Sequence, residues 1–442
     1  MFKSLVLRLI RSQRVAFAVF GNGMFSLASF ALSIAVARSS SIEEFGAFSF
    51  ALVAYLFASG LMHAALTDTS LSRPDDPATF TRACQRASLL GLVTAVVLVT
   101  WGAVAGNDYL LIFGFAAHGV LMMDFLRTFD SAAGSAARAM AATSLWALGS
   151  LSASLIAIFV GLNPVVVFAA WAFSGALCGY ATMAVVKAPL LPMWQRERLD
   201  TQAAGYFSGD YLIGQGGIHL TTGLLGIVGD ARVLGGVRGA GTLLGPMNLI
   251  ATTASSLMLP FLARDNDDPA QQRRSALAAV AVQVAVLAPL LVVVQFIPDS
   301  LGEQLLGETW QVAALAILPL SLDSIFSVAT GVAISGHRVN FAGARSLLIR
   351  FGLGVPRPFV VLFGAYQWGV AGAAWAMAFF AVISAVIWWI SYWDLGRQAI
   401  QKAAEENTDE ESEKPAVNVD GEYTATEPLS VAQPQRPTSH RK

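Results

Sequence analysis

Apolar stretches of roughly membrane-spanning length recur along this chain from Val15 to Trp393, separated by short polar loops whose Lys and Arg fall on alternate loops. A helix needs about 20 predominantly apolar residues to cross a hydrocarbon core, and its backbone must satisfy its own hydrogen bonds there. Runs of that length bounded by charge, proline or Gly-Asn-type turns predict twelve spans: Val15 to Ala37, Phe45 to Leu66, Ser88 to Ala105, Tyr109 to Leu126, Met140 to Gly161, Val165 to Val186, Ala204 to Val228, Leu234 to Leu262, Ala276 to Ile297, Trp310 to Ile334, Ser346 to Tyr366 and Val370 to Trp393.

The loops test this count, because positive charge in short loops stays on the cytoplasmic side. Lys3, Arg8, Arg11 and Arg14 open the chain, and every second loop after them is basic: Arg73, Arg82 and Arg86; Arg127 and Arg138; Lys187, Arg196 and Arg198; Arg264, Arg273 and Arg274; Arg338 and Arg345; Arg397 and Lys402. The intervening loops offer Glu43 and Glu44, Asp108, the neutral Gly161 to Pro164 turn, and Asp299, Glu303 and Glu308; Arg38, Arg232 and Arg238 break the trend. An even number of spans with both termini cytoplasmic fits this inventory, since one span more or fewer would invert half the loops.

The composition agrees: 55% hydrophobic, 13% charged, with a mean hydropathy of +0.60, outside the range of soluble globular domains. The apolar run after the basic start exceeds a signal-peptide core and leads into another span, so it reads as a retained first helix. Cys84 and Cys178 are the only cysteines, too few for a disulfide framework or a thiolate metal site. After Trp393 the hydropathy collapses, and residues 398–442, with the acidic cluster Glu405 to Glu413, read as a disordered, solvated cytoplasmic tail. The net charge of −1, with basic residues following topology, argues against nucleic-acid binding.

The longest basic loop divides the spans into sixes. The predicted organisation is a cytoplasmic N-terminus at 1–14, an N-lobe at 15–186, an inter-lobe loop at 187–203, a C-lobe at 204–397 and the tail. Because six is even, the lobes share one topology, which predicts parallel repeats related by a pseudo-twofold axis along the membrane normal around a central cavity. The overall class is an all-α polytopic membrane protein of about twelve transmembrane helices in two six-helix lobes.

Four segments carry a resemblance to a known family: VARSSSIEEFGAFSFALVAYLF between the first two spans, LLGETWQVAALAILPLSL entering the tenth, SGHRVNFAGARSLL between the tenth and eleventh, and YQWGVAGAAWAMAF entering the twelfth. With the span count, they make the chain resemble the multidrug/oligosaccharidyl-lipid/polysaccharide (MOP) exporter superfamily, in its polysaccharide and O-antigen flippase branch. The resemblance implies movement of undecaprenyl-diphosphate-linked oligosaccharide from the cytoplasmic to the periplasmic leaflet by alternating access. It implies a bacterial inner-membrane location, with membrane lipids and other polysaccharide-assembly proteins as partners.

Diphosphate and sugars cannot cross lipid unaided, because an isolated ion in a low-dielectric medium costs tens of kcal/mol in the idealised limit. A cationic lumen lowers that barrier, and buried cations are the expected signature. Arg350 and Arg357 stand seven residues apart on the eleventh span, so they share nearly one helix face, and Pro356 and Pro358 flank Arg357 and predict a kink or break. A mid-span Arg normally faces a protein interior or water-filled cavity, and guanidinium suits phosphate. Asp323 is the only acid of the tenth span: either an ion-pair partner of Arg357 or the seat of a coupling ion, H+ or Na+. Asp210 and His219 are further candidates on the seventh span, the histidine either a proton relay or a satisfied structural residue. Asn22 and Asn248 offer amides to sugars or to neighbouring helices. Arg38 and Arg238 hold matching places beside the external turns, as guards of the outer mouth or as anchors at headgroup phosphates. Asp124 is close enough to a cytoplasmic helix end to be solvated. Most of the tryptophans mark the interfacial belts.

Three classes compete. A lipid-linked oligosaccharide flippase is favoured by the resemblance and by Arg350 and Arg357. A cation-coupled multidrug or small-molecule exporter of the same architecture would lean on Asp210, Asp323 and His219. A membrane glycan polymerase would need a large external loop that this chain lacks, and no Walker motif points to ATP hydrolysis, so no enzyme and no cofactor is expected.

Overall fold

The structure, a computed structural model, describes residues 13–71, 77–132, 135–189, 191–193, 198–256, 258–265 and 268–413. Lys3, Arg8, Arg11, Arg73, Trp194, Arg196 and residues 414–442 of the tail lie outside the described residues. Every regular element within them is helical. Among the described residues, nine helices are long and apolar enough to cross a bilayer, and the pair Ala204–Ile213 and Gln215–Gly229, bent by 50°, makes ten when taken as one span.

The stretch Gly343–Gln398 counts among the nine as one, yet its course shows two antiparallel spans. Trp368 (φ −133°, ψ 18°) and Gly369 (φ 58°, ψ −137°) leave the helical region, and Gly364 and Gly372 meet backbone to backbone across the turn. Eight residues of straight helix would hold them about 12 Å apart. Gly369 suits the turn because that backbone conformation excludes a β-carbon at little cost to glycine alone. Among the described residues, the run Ala231–Leu243, Gly245–Ser256 and Met258–Leu262, interrupted at Leu244, lies outside those apolar helices and occupies the place of the eighth of the twelve expected spans. We number them spans 1 to 12 in chain order: Gln13–Ser39, Ile42–Leu71, Pro77–Ala105, Asp108–Ala132, Ala136–Val160, Pro164–Val186, 198–229, Ala231–Leu262, Pro269–Gln295, Trp310–Val339, 343–368 and 369 onward. Described residues of the second compact unit, 397–442, are helical through Glu413 where the composition predicts disorder from Gln398; Ala-, Gln- and Glu-rich sequence favours helix there.

Local chemistry sets the turns. Gly161 ends span 5 in the left-handed conformation (φ 76°), and the Asn163 side chain accepts a 2.8 Å hydrogen bond from the Val165 N–H, with Pro164 opening span 6. In span 11 the helix stops at Gly354 and restarts at Pro356, the break that the flanking prolines predict.

Packing repeats between the halves. In the N-lobe, span 1 lies along span 5, span 3 along span 4, and span 4 along span 6. In the C-lobe, span 7 meets span 11 through Ile213 and Gly354, span 9 meets span 10, and span 10 meets span 12 through His337 and Ser391 (2.8 Å). Adding six to each N-lobe number gives the C-lobe partner, as parallel repeats require. Trp171, Trp310 and Trp388 are buried inside the protein rather than exposed at an interface, which corrects the belt assignment for these three, and Trp146, deeper in its span, is buried as well. The Trp146 indole donates to the Trp171 carbonyl at 2.9 Å, so the ring is satisfied inside the lobe.

Without water to expel, helices in lipid associate through close packing of small residues. Gly119 and Gly179 bring spans 4 and 6 into backbone contact, and a β-carbon at Gly179 would overlap the Gly119 carbonyl. Gly179→Val is expected to destabilise the N-lobe by about 3 kcal/mol or more, at or beyond the upper end of overpacking costs because backbone is the obstacle. Thermal denaturation in detergent checks this; an unchanged midpoint would refute the close contact.

The lobes meet on the side of the acidic loops. A β-carbon at Gly46 of span 2 would overlap the Ala231 carbonyl, one at Gly235 would lie 3.0 Å from the Ile42 carbonyl, and Arg232 reaches Glu43 at 2.5 Å. One at Gly307 would lie 3.1 Å from the carbonyls of Ala37 and Arg38. Toward the basic loops the lobes part around a cavity.

Candidate functional site

The cavity holds about 810 Å³ and is walled by spans 2, 7, 8, 10, 11 and 12, so five of its six walls belong to the C-lobe. It reaches Arg338, next to the last residue of span 10 at its basic-loop end. Arg350, Arg357, Asp323, Asp210 and Asn248, predicted on four different spans, all line it.

The helix break positions the charges. Arg350 lies on the short helix Gly343–Gly354 and Arg357 just beyond the break, and both project into the cavity. Arg350 donates to Asp210 at 2.7 Å, a close ion pair between spans 11 and 7. Arg357 and Asp323 are 3.9 Å apart, beyond hydrogen-bond length, and Arg357 Nε and Asp323 Oδ1 are buried with no hydrogen-bond partner. Of the two pairs, this is the one free to accept another partner. Asn248 accepts a 3.3 Å hydrogen bond from Ser324, joining spans 8 and 10 at the same wall.

The lining is charge-balanced: Arg338, Arg350 and Arg357 face Asp68, Asp210 and Asp323, with His63 beside them. Among the described residues the lining is therefore not the net-cationic one expected from the sequence. Three of these residues, His63, Asp68 and Arg338, are not among the sequence-derived candidates. His63 and Asp68 lie about 140° apart on an α-helix, but the π turn His63–Thr67, closed by the Asp68 N–H on the His63 carbonyl, swings both toward the cavity.

Four candidates lie elsewhere. Asn22 accepts a 2.9 Å hydrogen bond from Arg127, inside the N-lobe. His219 stands one turn past cavity-lining Gln215, beyond the wall itself. Arg38 is exposed at the end of span 1, and Arg238 is half-buried on the closed side.

Asp124 is buried, 2% exposed, rather than solvated. It accepts hydrogen bonds from Tyr55 (3.2 Å) and Ser59 and pairs with Arg127 at 2.7 Å, while the Thr128 hydroxyl and the His63 ring extend the cluster toward the cavity. The Asp124 carboxylate thus ties spans 2 and 4 together. Removing one partner of a buried pair leaves the other charge uncompensated, at about 3–5 kcal/mol. Asp124→Asn is expected to lower detergent stability by that order, with Asp124→Asn/Arg127→Gln recovering part of it; additive losses in the double-mutant cycle would refute the coupling.

No family model matches the chain, and no curated protein matches it. Solved structures do. An inward-facing conformation of a multidrug resistance MATE family transporter of the MOP superfamily superposes with a TM-score of 0.63 at 12% identity over 86% of this chain and 96% of that one. The lipid II flippase MurJ in an inward closed conformation gives 0.65 at 10% identity over 87% and 91%. A MOP superfamily transporter from Pyrococcus furiosus, described as having a binding pocket of reverse polarity, gives 0.53 at 16% identity over 88% and 96%. The fold is the two-lobe fold of these transporters.

Proposed function

We propose that the chain is a MOP-superfamily flippase for an anionic, lipid-linked glycan, carrying undecaprenyl-diphosphate-linked oligosaccharide from the cytoplasmic to the periplasmic leaflet in exopolysaccharide or O-antigen assembly. The carrying observation is the pair Arg350 and Arg357 on one wall of the cavity, the second with an unpartnered guanidinium N–H. Guanidinium donates in a planar fork that matches phosphate oxygens, and a diphosphate offers several. Similarity to a structure named as a lipid II flippase supports a lipid-linked cargo.

With the basic loops assigned to the cytoplasm, both termini are cytoplasmic and the cavity opens inward, in the loading state. The headgroup enters from the cytoplasmic side, Arg350 and Arg357 replace part of its hydration, and the prenyl tail stays in lipid. Rocking of the lobes then opens the Glu43–Arg232 side. Cargo drives this step only so far as it binds the two states differently.

A second reading keeps the fold and changes the cargo. The balanced lining and the unpartnered Asp323 Oδ1 favour a cation-coupled exporter, with H+ or Na+ exchanged at Asp323. Leaflet-resolved translocation in proteoliposomes separates the two. Native protein is expected to flip a lipid-linked oligosaccharide; no flipping of matched glycan, alongside proton- or sodium-driven export of small cations, would overturn the first reading in favour of the second.

A further inference from the structure

A cation without an acid stands on the closed side of span 8. Arg238 is half-buried and forms no ion pair among the described residues; on the facing span 2, Glu43 is engaged by Arg232. Asp230 caps the start of span 8 instead, accepting from the Arg232 N–H. An uncompensated cation inside a membrane protein is costly, and residues of this kind mark substrate and ion pathways.

Spacing places this arginine on the cavity's own stripe. Arg238, Gly241, Gly245 and Asn248 follow at intervals of three, four and three, so they share one helix face. The register survives the break, because the Leu244 N–H reaches the Ala240 carbonyl at 3.1 Å and the Asn248 N–H reaches the Leu244 carbonyl at 3.0 Å. Asn248 lines the cavity, and a β-carbon at Gly241 or Gly245 would meet nothing within 4 Å. Arg238 therefore continues the stripe about 15 Å beyond Asn248, toward the acidic loops.

We propose that Arg238 is a second oxyanion site, which a phosphate-bearing cargo reaches only after the lobes have closed behind it. This rests on the anionic-cargo reading and adds to it what alternating access requires. A site exposed in one state alone supplies the differential affinity that tips the equilibrium, and Arg350 and Arg357 cannot do so for the outward state while they face the inward cavity. The recognised chemistry is a phosphate or diphosphate oxyanion, held by a guanidinium fork.

The test uses full-length protein in nanodiscs with Cys84→Ser and Cys178→Ser, and Gly241→Cys as reporter, since Gly241 has room for a side chain. A membrane-impermeant methanethiosulfonate reports its reactivity with geranylgeranyl diphosphate, geranylgeraniol or inorganic pyrophosphate as probe. The diphosphate lipid is expected to slow labelling by about tenfold, the worth of a charge-assisted contact, and geranylgeraniol to have no effect. Protection by pyrophosphate as well would mark a site that reads the anion alone; protection by the lipid only would mark one that needs the tail; both support the site. Arg238→Gln is expected to abolish protection without lowering the melting midpoint, which an arginine with only a structural role would lower. Protection that survives Arg238→Gln overturns this inference alone. Native protein that binds no diphosphate lipid at all overturns the cargo reading itself.

Discussion

Arg357→Ala is expected to reduce flipping of the lipid-linked oligosaccharide by about 100-fold and to leave the protein folded. A hydrogen bond to a charged group contributes about 1.5–3 kcal/mol, and a two-pronged guanidinium contact makes two of them. Losing even the lower pair of values is about 3 kcal/mol, or two orders of magnitude. Stability moves little, because Arg357 and Asp323 are too far apart to share a hydrogen bond, and the Asp323 side chain keeps 23% exposure on the cavity wall. Arg357→Lys keeps the charge but replaces the fork with a point donor, so about a tenfold loss is expected. Leaflet-resolved assays, with melting curves for each variant, check both values. Flipping by Arg357→Ala at the native rate would remove this residue from the cargo site.

Lipid makes some of this molecule legible in one dimension. A polar residue inside an apolar run has no cheap place in hydrocarbon, so Arg350, Arg357, Asp323 and Asp210 had to face protein or water, and all four meet at one cavity. The same constraint locates the crossings, including the reversal at Trp368 and Gly369 that separates spans 11 and 12 inside one uninterrupted helical assignment. Prolines 356 and 358 announce the break beside Arg357 for an equally local reason.

What one dimension hides is geometry that departs from α periodicity or depends on a partner. His63 and Asp68 escape notice because a π turn rotates them together. Asp124 reads as solvated because nothing local shows that Tyr55 and Ser59 of another span reach it. The two lobes have like topology, so no repeat pattern says that the C-lobe builds most of the cavity wall. Charge balance is hidden in the same way: Arg338 counts as a loop residue and Asp68 falls beyond the predicted end of span 2, yet together they alter the lumen.

Gly46→Val is expected to invert the conformational preference and open the acidic-loop side. A β-carbon at Gly46 would overlap the carbonyl, carbon and β-carbon of Ala231, so neither a rotamer change nor a flexible side chain relieves the overlap. Two rigid spans from opposite lobes must move apart. Overpacking of this kind costs about 1–3 kcal/mol when the structure has to absorb it, and here the cost falls on the closed state alone. A state-specific penalty of about 2.7 kcal/mol changes the ratio of the two states about 100-fold. Because a ligand or mutation acts on this equilibrium only through such a difference, the variant resembles a permanently bound outward-selective ligand. Spin labels at Asp108→Cys and Glu303→Cys, both exposed on the acidic-loop side of different lobes, report the change as a longer mean distance. Translocation falls as well, since a carrier held in one state cannot cycle. A distance distribution identical to that of native protein would mean that the Gly46 and Ala231 contact does not hold the lobes together, and the closing function would pass to the exposed Glu43 and Arg232 pair.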